Sequence, residues 1–568
     1  MSEEKVSVHA PNDPEKSREF FYIIKDKDIF SLPEGEGGIQ YINLDAGRLI
    51  NSASIVGNIE DEKILDKLKT MEGFQSLVHS IGVSVELPED SMEVEFVFEV
   101  YGKKDKYGAK KLSLKLAGDG LERRIYLDQY TFGEDDIEPG QILIRFKEKE
   151  VLGKLNVRFY VKDGFHLPLY KEENPVDVSS KAYRQMISKS LMSLGNPTRL
   201  KNALKKARTE KTSIAFIGGS ITQGAGATPI HTDCYAYHTY RQYEETFSKE
   251  GWVDFIKAGV GGTPSQLGMI RFDRDVLRED KKPDIIVIEF AVNDGDDETA
   301  GNCYESLVRK ALKLPWKPAV ILIFSVFAND WNLQDRLRGV GEKYALPMVS
   351  ILDAVVPEFK AKEKGFISRN QFFYDMFHPS NLGHKIMADS LIHLMKEVDE
   401  KELEDTSYES FLEKALLQAP AIGNSFDDIK LLDRKEGYSK AVIVEGGFCE
   451  QDTLLQCVEM DDSLVTTAEF PYNWKYVGDK NPVFTMDIYC KSLHLVFKDS
   501  GDVRAGRANI YVDDKFLKTL DPKEVGWTHA HATLLFDEPI SKNHRIRIKM
   551  HEEDYQKTFT ILGFGYVE

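Results

Sequence analysis

Apolar and polar residues alternate with a period of two through the first 175 residues, in stretches such as 92–101, 111–116, 141–146 and 155–161 separated by turn-forming residues. That period sends successive side chains to opposite faces of a strand. The segment is therefore expected to form antiparallel strands with one buried face, a β-sandwich, with one helix near 60–71. The rhythm changes after a connector at 168–182, where two prolines and mixed charge discourage regular structure. A helical pattern over 183–206, interrupted near Gly195-Asn196-Pro197, then leads into continuous apolar runs at 214–217, 252–256, 285–290, 319–325 and 347–351. Runs without alternation suit strands covered on both faces, and their spacing by helical stretches implies an α/β domain, a parallel sheet with helices on both faces. Ser380 is a good N-cap for a helix whose apolar positions Leu382, Ile386, Met387, Ala388, Leu391, Ile392 and Met395 pack onto that sheet. An acidic, helix-prone link covers 397–417. Alternation returns at 441–444, 484–489, 493–497, 508–512, 532–536 and 544–550, with a hairpin at 511–515. Three domains follow: a β-sandwich at 1–175, an α/β domain at 183–400, and a second, jelly-roll-like β-sandwich at 418–568.

Composition narrows the partners. The 568 residues are 42% hydrophobic and 29% charged, an ordinary globular balance, and a formal net charge of -19 repels phosphate backbones and anionic membrane surfaces. Neither nucleic acid nor membrane is an expected partner; a homo-oligomer is allowed. No apolar run is long enough for a membrane span and the amino terminus lacks the apolar core of a secretory signal, so a cytoplasmic location is expected. Five cysteines, Cys234, Cys303, Cys449, Cys457 and Cys490, show no Cys-x-x-Cys spacing, which argues against structural disulfides and a zinc site.

The chemistry gathers where apolar runs end. Residues 213–218 break into Gly218-Gly219 and deliver Ser220 at the carboxyl end of a strand, the edge where open parallel sheets bind ligands. A glycine turn at 259–262 offers backbone N–H groups to an oxyanion, the strand at 285–290 is followed by the side-chain amide of Asn293, and Tyr374-Asp375-Met376-Phe377-His378-Pro379 sets a carboxylate and an imidazole three residues apart. A base, an orienting acid, a hydroxyl and oxyanion donors are the parts of an acyl-transfer site.

These four stretches in this order resemble the GDSL-like, or SGNH, hydrolases over roughly residues 212–397. The resemblance implies a flavodoxin-like sheet, with Ser220 as nucleophile, Asp375 and His378 as the Asp-x-x-His pair, and Ser220, Gly262 and Asn293 as the oxyanion hole. Gly262 is aligned through its neighbours Ser265 and Gly268, with Gly261 as its alternative. Two positions depart from the family pattern: Gly219 stands where the name-giving motif has Asp, and Ala291-Val292-Asn293 where Gly-x-Asn is usual. Gly-Gly-Ser-Ile-Thr is similar to the variant in a branch that contains carbohydrate esterases. The implied activity is serine-dependent removal of O-acetyl groups from hemicellulose oligosaccharides derived from xylan, mannan or xyloglucan, with no metal or organic cofactor. A short-chain, lipid or thioester hydrolase is the alternative, and a non-catalytic carbohydrate-binding protein a more distant one.

Further residues carry a bland and a sharper reading. Trp331, past the strand at 319–325, is expected to wall the acyl or sugar pocket. Trp474 and Trp527 are expected in a core rather than on a sugar platform. His231, His238 and His384 read as structural or pocket-lining, and Asp296-Asp297 as a solvated loop rather than a metal site.

Overall fold

The computed structural model describes residues 18–31, 38–168, 173–278, 280–361, 365–402, 407–478 and 481–568. Residues 169–172 of the expected connector and 403–406 of the acidic link lie outside the described residues. The chain forms two compact units, Met1–Val176 with Arg369–Met376, and Asp177–Ser368 with Phe377–Glu568.

In the first unit the period-two stretches become two four-stranded antiparallel sheets. One orders Phe20–Phe30, Leu152–Val161, Val78–Glu86 and Arg123–Tyr126; the other orders Ile39–Asn43, Asp136–Phe146, Glu93–Gly102 and Lys111–Ala117. Their inward rows, among them Phe21, Val83, Phe96, Phe98, Ile144 and Phe159, close one apolar core with Phe74. The helix expected near 60–71 is split into Glu62–Lys67 and Met71–Leu77, because Thr70 leaves the helical conformation and its hydroxyl caps the second helix at Gly73 N.

The second unit contains the expected parallel sheet. Its order is Val253–Gly259, Thr212–Gly218, Ile285–Glu289, Ala319–Phe324, Met348–Ser350 and Leu191–Ser193. The last pairs antiparallel with Met348–Ser350. This edge strand falls inside the stretch whose pattern reads as helical; three residues are too few to show alternation between the helices Lys181–Ser188 and Thr198–Ala207. The chain passes from Thr212–Gly218 to one neighbour and then crosses to the other, Ile285–Glu289. Such a reversal opens a crevice at the carboxyl ends of the strands, where Gly219 and Ser220 follow.

Beyond the helices Asn381–Glu400 and Tyr408–Leu417, eight strands are hydrogen-bonded into one antiparallel sheet. Two pairs of expected short strands merge into Val483–Asp499 and His529–Met550, which continue through register shifts near Cys490 and Leu493 and change neighbours along their length. The expected hairpin turns at Asp513 and Asp514, with φ of 50° and 64°. Trp474 is fully buried against Phe484 and Phe564. A single buried cluster joins Leu267 and Ile270 of the α/β domain to Ala530, Ala532 and Leu562, so the two regions share a core. Among the described residues no helix is long and apolar enough to cross a membrane.

Candidate active site

The strand Thr212–Gly218 is buried along its whole length and ends in a turn with no room for side chains. A Cβ at Gly219 would lie 2.4 Å from Asn293 Oδ1, so the glycine brings the Asn293 amide directly beside the residue preceding Ser220. Ser220 opens the short helix Ser220–Gln223. Its Oγ lies 3.0 Å from His378 Nε2, across 158 positions of sequence. His378 is carried on the stretch before the helix Asn381–Glu400, whose start is capped by Ser380 Oγ accepting from Gly383 N.

His384 locks these pieces together. Its Nδ1 accepts from Tyr235 N at 3.1 Å, which leaves Nε2 to donate to the Ala225 carbonyl, also at 3.1 Å. Burial pushes the ring down to about 3, so it stays neutral and holds the loop after the nucleophile against the His378 helix. Its expected structural role is what the contacts display. His238 faces Asp233 at 3.8 Å.

In the glycine turn after Val253–Gly259 the two candidates have different contacts. Gly261 N donates to Gln223 Oε1 at 2.9 Å, so that N–H is engaged. Gly262 has φ of 69°, a conformation suited to glycine, and a Cβ there would lie 2.5 Å from the Trp527 ring. The turn is braced from the C-terminal region. Gln456 Nε2 donates to the Gly261 carbonyl at 2.8 Å while its Oε1 accepts from Ala530 N, and Gln223 Nε2 donates to Glu459. Asp294, buried beside Asn293, accepts from both N and Oγ of Ser265 at 2.7 and 2.6 Å, tying the Asn293 loop to the helix that follows the glycine turn. Burial pushes its carboxyl up to about 7.

Glu289, the last residue of its strand, is also fully buried. It accepts from Ser325 Oγ at 2.8 Å and from Thr222 Oγ1 at 3.3 Å, and Thr222 meets Tyr235 OH at 2.9 Å. Burial raises this carboxyl to about 7, against the opposing pull of the two hydroxyls and of His378. A proton-holding carboxyl thus lies under the nucleophile turn.

Two tryptophans flank the site. Trp331, 37% exposed, stacks on Phe327, which meets Phe377 edge-on at 5.1 Å, and Phe377 in turn contacts the His378 ring. Trp527, 41% exposed, stands over Gly262 and stacks on His529 with centroids 4.5 Å apart. The core position expected for Trp527 is therefore corrected: it is held at the site edge by a loop in which Gly526 takes φ of 80°. Asp297 is corrected as well. Rather than lying in a solvated loop it is buried, accepting from Thr299 N, Thr299 Oγ1 and Gly301 N.

Asp375 belongs to the stretch Arg369–Met376 that packs with the first unit. There Lys27 Nζ donates to the Tyr374 carbonyl at 3.0 Å, and the negative charge of Asp375 acts on that ammonium. Glu289, Gln456 and Trp527 are residues that sequence reasoning does not place at the site.

Comparison with known proteins adds three findings. Residues 216–386 match the GDSL-like lipase/acylhydrolase family. Two solved structures of a two-domain esterase active on acetylated mannans, one co-crystallised with mannopentaose, are similar to this chain. Each is 27% identical and covers 67% of this chain and 99% of its own, with TM-scores of 0.55 and 0.56. No curated protein matches. With Ser220 and His378 within hydrogen-bonding distance inside the matched region, this chain is a carboxylic ester hydrolase whose residues 216–386 are similar to the GDSL-like lipase/acylhydrolase family.

Proposed function

We propose that the protein is a serine esterase that removes O-acetyl groups from hemicellulose oligosaccharides. The observation that carries this reading is the 3.0 Å approach of His378 Nε2 to Ser220 Oγ, with the exposed Trp527 over Gly262 and the exposed Trp331 linked to the His378 ring through Phe327 and Phe377. Aromatic faces suit sugar rings, whose C–H surfaces are apolar and whose hydroxyls stay in water. The similar two-domain esterase acts on acetylated mannans, which ranks mannan fragments ahead of xylan and xyloglucan. The cytoplasmic location expected from the sequence belongs to the same proposal, with the substrate arriving as imported fragments.

In this mechanism His378 takes the proton of Ser220 as Oγ bonds to the acetyl carbon. Asp375 holds the imidazole in the useful tautomer and stabilises the imidazolium. The oxyanion is met by the N–H groups of Ser220 and Gly262 and by Asn293 Nδ2; Gly261 is set aside because its N–H already serves Gln223. The intermediate collapses as the bond to the sugar oxygen breaks and His378 returns the proton to that oxygen. Water then attacks the acyl-serine, giving its proton to His378, and acetate leaves as Ser220 recovers it.

The test is acetate release from acetylated mannan, xylan and xyloglucan oligosaccharides by the intact protein and by Ser220→Ala. Release that disappears in the variant is expected, fastest with mannan. No release from any glycan, with Ser220-dependent turnover of p-nitrophenyl acetate retained, would leave a short-chain esterase and overturn the carbohydrate assignment.

A further inference from the structure

We infer that Lys27, in the N-terminal β-sandwich, is a positioning residue for Asp375, so that this domain takes part in organising the catalytic acid; the inference rests on the esterase reading above.

The strand Phe20–Phe30 is irregular just before Lys27. Its pairing with Leu152–Val161 shifts register between Tyr22 and Ile24 and again between Ile24 and Lys27, with Asp26 at φ of 50°. Bulges of this kind re-aim side chains and gather beside functional sites. The shifts set Lys27 opposite Leu155, a fully buried residue in the row Leu155, Val157 and Phe159 that packs inward. A lysine therefore occupies a position where the pattern calls for an apolar side chain.

Placing an ammonium there is unfavourable unless specific partners meet it. Among the described residues, its side-chain partners are the two consecutive residues Tyr374 and Asp375. Nζ donates to the Tyr374 carbonyl at 3.0 Å, sits 3.0 Å from the centroid of the Tyr374 ring, and feels the negative charge of Asp375. Loss of water pushes the amine down to about 7, and the charge of Asp375 pulls it back up. The same domain grips the rest of the segment. Asn51 Nδ2 contacts Met376 Sδ at 2.7 Å, Asn370 Nδ2 donates to Glu173 at 2.9 Å, and Gln371 Nε2 donates to the Asn174 carbonyl at 2.7 Å. A residue whose role was only to fill the sandwich has no need of a charge bonded to the carbonyl immediately before the Asp-x-x-His pair. With the carbonyl before it held by Lys27, Asp375 has fewer orientations available from which to serve His378, three residues further along the chain.

The experiment uses the full-length protein and p-nitrophenyl acetate, so that it does not depend on which sugar is the substrate; Ser220→Ala reports separately whether the esterase reading itself stands. Lys27→Met is expected to lower kcat about ten- to hundredfold, the effect of a small misplacement of a catalytic group, with KM changed less than about twofold. Below pH 7 the ammonium is charged and opposes protonation of the neighbouring dyad. Its removal is therefore expected to move the acid limb of the kcat/KM profile to higher pH, by roughly half a unit or more, while Lys27→Arg keeps the limb in place. Among the described residues, the titratable groups facing the lysine are Tyr374 and Asp375. In an Asp375→Asn background the Lys27→Met change is expected to cost nothing further. Additive losses in that double variant, an unshifted acid limb, or an unchanged kcat would each overturn the inference. If Lys27→Met does not fold, Lys27→Gln and the Asp375→Asn cycle give the same readings.

Discussion

Glu289→Gln tests the buried carboxyl beneath the nucleophile turn. The side chain is fully buried, and among the described residues its hydrogen bonds come from the hydroxyls of Ser325 and Thr222 rather than from a cation. Burial raises it from an ordinary 4.5 to about 7, so the folded protein holds a proton there that the unfolded chain releases. Between those two values the folded state binds more protons than the unfolded state. The stabilisation is therefore full below pH 4.5 and is lost as pH rises through 7. At 1.36 kcal/mol per pH unit the gap corresponds to about 3 kcal/mol. A glutamine of the same shape keeps acceptor and donor atoms for Ser325 and Thr222 but has no proton to lose. Its stability relative to the parent is thus expected to be near zero at pH 4.5 and to grow, in favour of the variant, to about 3 kcal/mol at pH 8. Urea denaturation of both proteins at a series of pH values measures this, and Asp294, also raised to about 7, cancels because both proteins carry it. A stability difference that is the same at pH 4.5 and pH 8 would refute the reasoning, since it would mean that Glu289 is already ionised in the folded state.

Two further predictions concern the site itself. Asn293→Ala removes one proposed oxyanion donor and is expected to lower kcat about a hundred- to thousandfold on p-nitrophenyl acetate and on acetylated oligosaccharides alike; a change confined to KM would remove Asn293 from the oxyanion hole. Trp527→Ala removes the aromatic face over Gly262, with an expected three- to tenfold rise in KM for acetylated mannan oligosaccharides, several times larger than any change with p-nitrophenyl acetate, and Trp527→Phe is expected to restore most of it. Equal effects on both substrates would make Trp527 a support for the turn rather than a platform for the sugar.

How far the sequence exposes this site depends on what each residue has to do. Ser220, Asn293 and His378 were legible because each follows an apolar run or precedes a capped helix, so topology carries them to the same end of the sheet. The choice between Gly261 and Gly262 was not, since it turns on where Gln223 sends its side-chain oxygen. Trp474 and Trp527 look alike as sequence. Only the first lies where flanking strands close over it, while the second is turned outward by a loop that begins at a left-handed glycine. An acidic pair in a loop is usually solvated, which is what the sequence suggests for Asp297; in the fold it satisfies three donors at the start of the helix Asn302–Leu312. Lys27 is the extreme case. Its direction depends on two register shifts, and alternation, being a local pattern, gives no account of a strand that slips against its partner. Residues bound to the site by chain topology can therefore be read from their own neighbourhoods. Those that reach it by a side chain from another region, Gln456 and Trp527 among them, become visible only when both ends of the contact are placed.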